Sequence, residues 1–185
     1  MIYHWFPSII SILIKKLEEM HNLHNKNEHK IAVFGCGNIL FGDDGAGPAV
    51  IDALERLEIP EDVFIQDVGT GIRDVLFDYL LEPAMRPELL IIVDAVDFPG
   101  IPPGKILDLE PRDIPVQKVH DFSLHQFPTV NMLSEMAEAT ATKVKIFAIQ
   151  VQTIPHEVQP GLSGPVAAAV QQVKEEIARL IHQKI

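Results

Sequence analysis

The run at 88–95, ELLIIVDA, constrains the fold more than any other part of the chain. Its apolar residues are continuous and do not alternate with polar ones. A strand of that pattern must be covered on both faces, which is the situation of a strand inside a parallel sheet with helices packed above and below. A second run of the same kind, KIAVFG at 30–35, ends in glycine. Between and beyond these runs the signal alternates. Apolar residues recur at helical spacing over 43–57 (Ala46, Ala49, Val50, Ala53, Leu54, Leu57), over 71–81 and over 165–183 (Val166, Val170, Val173, Ile177, Ile181). Short strands are predicted at 63–67, at 105–109 as an edge strand and at 143–151, and a third helix is predicted over 123–139. The order β-α-β-α-β-β-α-β-α predicts a three-layer α/β/α sandwich built on a mainly parallel, twisted sheet of about five strands. In such sheets ligands bind beyond the carboxyl ends of the strands, where the strand order reverses.

Residues 30–185 suit one domain. Residues 1–29 read as an amino-terminal extension, either a short amphipathic helix over 8–20 or a start placed upstream of Met20. The apolar stretch at 9–14 is far shorter than the roughly 20 residues a membrane span needs, and it lacks the flanks of a signal peptide. With a formal net charge of −11, the chain has no basic stripe to meet a nucleic acid. Its single cysteine, Cys36, allows no internal disulfide and no cysteine-held metal cluster. A cytoplasmic protein with neither membrane nor nucleic-acid partner is the resulting expectation.

The turn at 35–47, GCGNILFGDDGAG, joins the first strand to the first helix. A glycine-rich turn in that place suggests a dinucleotide site, but Leu40 takes the third glycine position, and Asp43 and Asp44 would repel a pyrophosphate at the helix start. Acids at the first turn of a helix are explained by capping and by the helix dipole, but that accounts for one of the two. Asp94 ends the hydrophobic strand, and a carboxylate there must be paired, hydrogen-bonded, metal-bound or exposed. Ser123 with Gln126 forms a capping-box pattern, which puts His125 in the first turn of a helix. Its rivals are His120 and His156. Cys36 reads as a small buried filler, since no base lies near it in sequence. Two acids and one imidazole make an open set of donors suited to a transition metal, and too sparse for structural zinc.

Four blocks together resemble the hydrogenase maturation proteases: Gly35-x-Gly37-Asn38-x-Leu40-x-Gly42-Asp43-Asp44-Gly45-x-Gly47, Asp67-x-Gly69-Thr70, Ile91-Ile92-Val93-Asp94-Ala95 and Ser123-x-His125-Gln126. The resemblance runs from about residue 30 to the carboxyl terminus. It implies an aspartic-type endopeptidase that removes the C-terminal extension of a nickel–iron hydrogenase large-subunit precursor after nickel insertion. It further implies that Asp44, Asp94 and His125 are the catalytic and metal-contacting residues. Nickel is then the recognition element, supplied by the precursor rather than held permanently. Asp67, with Gly69, Thr70, Asn38 and Asp43, falls on positions tied to substrate recognition. Val68 stands where many members carry glycine. The block 120–126 is similar to the branch that serves deazaflavin (coenzyme F420)-reducing hydrogenases. Two other readings stay open on the residues alone: a non-catalytic nickel-checkpoint module and a nucleotide-binding α/β protein. Whether a metal or an Asp activates the attacking water is also open.

Overall fold

A computed structural model describes residues 29–113 and 127–183. Five strands form one sheet in the order β2-β1-β3-β5-β4, where β1 is Ile31–Cys36, β2 Val63–Gly69, β3 Leu89–Val96, β4 Ile106–Leu109 and β5 Lys143–Gln150. The first four in that order run parallel. Only β4, at the edge, runs antiparallel to β5. The helices are α1 (Ala46–Leu54), α2 (Ile72–Leu81), α3 (Phe127–Ala139) and α4 (Gly164–His182). This is the α/β sandwich expected. No helix among the described residues is long and apolar enough to cross a membrane.

The pleat divides the core in two. Ile31 and Val33 of β1 and Ile91, Val93 and Ala95 of β3 pack with Val50, Ile51 and Leu54 of α1 and with the stripe Val166, Val170, Val173, Ile177 and Ile181 of α4. Ala32, Phe34, Cys36, Leu90, Ile92 and Val96 point the other way, onto Ile72, Leu76 and Tyr79 of α2 and Leu133 and Met136 of α3. Every residue of β3 is buried, as its unbroken apolar pattern requires.

Three of the boundaries that differ from those expected lie near the glycine turn and Asp94. The helix expected from residue 43 begins as a 3-10 turn at Gly42–Gly45 and becomes α-helical only at Ala46, because Asp43 is tied to a distant loop. Strand β2 runs two residues past Asp67 to Gly69, with a bulge where Gly35 pairs with Asp67 and Cys36 with Gly69. Strand β3 also outruns Asp94, reaching Val96. The proposed helix start at Ser123 and the extension at 1–28 lie outside the described residues.

The topology places the site. From β1 the chain crosses to β2 on one side, then returns past β1 to β3 on the other, so the strand order reverses between β1 and β3. Their ladder ends at Gly35↔Val93. Asp94 is therefore the first residue of β3 beyond the pairing. Its other neighbour, Ala148 of β5, stays in register beside it.

Candidate active site

The glycine turn packs backbone against backbone where β1 hands over to α1. A Cβ on Gly47 would stand 2.2 Å from the Cys36 carbonyl oxygen, and one on Gly37 would stand 1.9 Å from that of Asp44. Gly37 also has φ +126, a value other residues rarely adopt. These glycines bring Asp44 back over the end of β1. The turn is thus filled by protein, which removes the physical basis for a dinucleotide loop there.

Asp44 is 8% exposed, and its Oδ2 accepts a hydrogen bond from the Asn38 N–H at 2.9 Å. The Asn38 side chain in turn accepts from the Leu40 N–H at 3.0 Å, closing the turn that carries the next residues outward. Asp94 is fully buried, and its Oδ1 accepts from the Ala95 N–H at 2.8 Å. Asp67 is exposed on β2, where its Oδ1 accepts from the Gly69 N–H at 2.8 Å. Thr70 follows, exposed, just past the strand.

Cys36 sits among these acids and is buried. Burial pushes its thiol well above the ordinary range, and the negative charges of Asp94, Asp67 and Asp44, in that order, push it further. A thiol held protonated in this way is no nucleophile, which agrees with the filler role expected from sequence. Asp67 and Asp94 lie on the two strands that flank β1, and Asp44 is held by the Asn38 N–H just past its end.

Asp43, expected beside the substrate, is turned into the protein instead. It is 1% exposed. Its carboxylate accepts from the backbone N–H groups of Gln152 at 2.8 Å, Thr153 at 3.1 Å and Ser163 at 2.6 Å, and from the Ser163 hydroxyl at 2.9 Å. Those donors belong to the loop between β5 and α4 and to the residue preceding α4. Asp43 is therefore a clamp between the glycine turn and that loop. The sequence marks 153–165 as a Pro-rich loop but not its bonds to Asp43. It also missed Gln150, which is buried at the end of β5 and whose side chain accepts from the Phe98 N–H at 2.9 Å and donates to Asp97 at 3.2 Å. A glutamine at the end of the apolar run KVKIFAIQ was the available signal.

His125 and its rival His120 lie outside the described residues, and His156 lies in the exposed loop after β5. Among the described residues, no three His, Cys, Asp or Glu side chains form a group able to hold a metal ion.

Comparison with known proteins fits this geometry. The sequence model of one family, HycI, described as hydrogenase maturation protease, matches residues 48–180. The delta subunit of coenzyme F420 hydrogenase from Methanothermobacter thermautotrophicus is 34% identical over 161 residues, covering 80% of this chain and 94% of that protein. Hydrogenase 2 maturation protease of Escherichia coli is 29% identical over 157 residues, covering 83% and 92%. The crystal structure of a nickel–iron hydrogenase maturation protease, HycI of Thermococcus kodakarensis, shares the fold with a TM-score of 0.68 at 24% identity, over 83% of this chain and 92% of that one. The family match over most of the domain and the archaeal relative together show that the chain belongs to the hydrogenase maturation proteases, endopeptidases that process the hydrogenase large subunit.

Proposed function

We propose that this protease removes the C-terminal extension of a nickel-loaded large-subunit precursor, and that Asp44, Asp94 and His125 read the precursor's nickel. The observation that carries this reading is the pair Asp44 and Asp94. Both are buried and stand at the reversal point, Asp94 just past the β1–β3 ladder and Asp44 over the end of β1, on the Asn38 N–H. Asp94 lies on the sheet face that α3 covers, since it shares the alternation of Leu90, Ile92 and Val96. A helix that feeds a parallel strand starts at the carboxyl ends of its neighbours. Helix α3 feeds β5, so its start belongs at that end of the sheet, and His125 precedes the start by two residues in sequence. Two carboxylates and one imidazole leave coordination positions open for the ligands that the nickel already has in the precursor. Three protein donors suit a reader of the substrate's metal better than a permanent metal home.

In this reading Asn38 orients Asp44, while Asp67, Gly69 and Thr70 face the precursor from β2 and the turn after it. The substrate is the precursor of a deazaflavin-reducing hydrogenase, in keeping with the naming of the archaeal relative. The reaction is aspartic-type and cytoplasmic, and it involves neither membrane nor nucleic acid, consistent with the acidic charge of −11.

Mass spectrometry of the precursor tests the site. Asp44→Asn, Asp94→Asn and His125→Ala are each expected to slow loss of the extension by on the order of 100-fold. Full activity in His125→Ala would overturn the assignment. Nickel-dependent binding with no change in precursor mass would replace the protease by a checkpoint module.

A further inference from the structure

The loop that begins two residues after Asn38 is joined along its length to the loop between β5 and α4. Phe41 and Gln159 form a parallel bridge. The Gln159 N–H donates to the Leu40 carbonyl at 2.9 Å, and the Gly42 N–H donates to the Gln159 carbonyl at 3.0 Å. Pro155 packs on Gly42 so closely that a Cβ there would stand 2.8 Å from the ring. The Asp43 carboxylate fixes both ends of the second loop. The two loops are thus one rigid ledge, although 117 residues of sequence separate Gly42 from Gln159.

That ledge carries apolar side chains outward. Ile39 is 60% exposed, Leu40 44%, Ile154 39% and Val158 64%. Only three other large hydrophobic residues are as open among the described residues, and two of these, Phe77 and Leu81, lie on α2. Leu40 and Val158 each precede a residue of the bridge, so the parallel pairing sets them side by side, about 5 Å apart between strands. Exposed apolar side chains gathered on two backbone-paired segments are the kind of surface that a protein partner covers. The ledge also follows directly on Asn38, the residue that holds Asp44. A protein substrate brought to Asp44 has to lie against it.

We infer that the ledge formed by residues 39–42 and 154–159 is the docking surface for the folded body of the large-subunit precursor, with Leu40, Ile154 and Val158 as its apolar contacts. The inference rests on the proposed protease reading and adds the surface by which a protein, rather than a short peptide, is selected. Contacts on backbone already held in place cost little ordering on binding.

The test is a binding titration of purified, nickel-carrying precursor against wild-type protein, the Ile154→Glu/Val158→Glu double variant, the milder Val158→Ser and the control pair Phe77→Glu/Leu81→Glu. Thermal unfolding of each checks the fold. The ledge double variant is expected to weaken Kd by roughly tenfold or more and Val158→Ser by about threefold, with the control within about twofold of wild type. Binding unchanged in both ledge variants, or weakened equally in the control, would overturn the inference. Precursor mass is followed in parallel. Binding that depends on the ledge without shortening of the precursor would remove the protease reading and keep the surface, whereas normal shortening with a Kd indifferent to the ledge would do the reverse.

Discussion

Asp43 and Asp44 are adjacent, acidic and buried, yet they hold different parts of the molecule. Asp43 gathers three backbone N–H groups and a hydroxyl from the far end of the chain. Asp44 lies over the end of β1 and takes the Asn38 N–H. Sequence could mark both as unusual, two acids where a helix start explains one. It could not assign them, because the donors to Asp43 come from residues more than 100 positions away. Removing the Asp43 carboxylate strands those donors. Asp43→Ala is expected to lower unfolding stability by roughly 2–4 kcal/mol, with Asp43→Asn recovering part of it, as measured by urea denaturation. A loss below about 1 kcal/mol would contradict the clamp. Cys36 gives a second prediction. Its folded-state thiol titrates above the unfolded value of about 8.5, so the folded state keeps a proton that the unfolded state gives up. The stability it contributes is full below about pH 8.5 and is lost as pH rises from there. Burial pushes the Tyr79 phenol up from its ordinary 10.0 to about 12 in the same sense, which extends the decline above pH 10. Cys36→Ala should flatten the slope of stability against pH just above 8.5, and Tyr79→Phe the slope above 10. The native thiol should also resist alkylation at pH 8 and react on unfolding. Rapid alkylation of the native protein would refute its burial.

At the scale of elements, the central strands and the closing helix were legible because burial leaves a pattern. Strand β3 is apolar throughout since both faces are covered, and α4 shows its stripe at every third or fourth position since only one face is. The pattern fades where side chains serve the site. The start of α1 differs by three residues, the end of β2 by two and the end of β3 by one. In each case a backbone contact or a carboxylate, rather than hydrophobic period, sets the boundary. Gly47 illustrates this most directly. Gly47→Ala has a Cβ aimed at the Cys36 carbonyl, so α1 must lift from β1 and carry Asp44 with it. Precursor cleavage is expected to fall on the order of 100-fold, the penalty for displacing a reacting group by about 1 Å, together with a lowered thermal midpoint. By contrast Ile177→Ala on α4, fully buried but remote from the crevice, should cost about 2–5 kcal/mol of stability. The remaining folded enzyme should keep its turnover. Wild-type cleavage by Gly47→Ala would show that the turn does not position Asp44.

For the whole molecule, the sheet order turns scattered sequence blocks into one place. Asp44 comes from the turn after β1, Asp67 from β2 and Asp94 from β3, and the sheet order sets β2 and β3 on either side of β1. The fold class could be read from alternation alone, and the convergence of the acids could be expected from the rule for such sheets. The proposed third donor, His125, comes from the sequence motif alone, and the proposed nickel is the precursor's. The measurement that bears most directly on this account is mass spectrometry of the large-subunit precursor incubated with the purified protein, once loaded with nickel and once nickel-free. The account predicts that only the nickel-loaded precursor loses its C-terminal extension. Equal cleavage of both forms would contradict it.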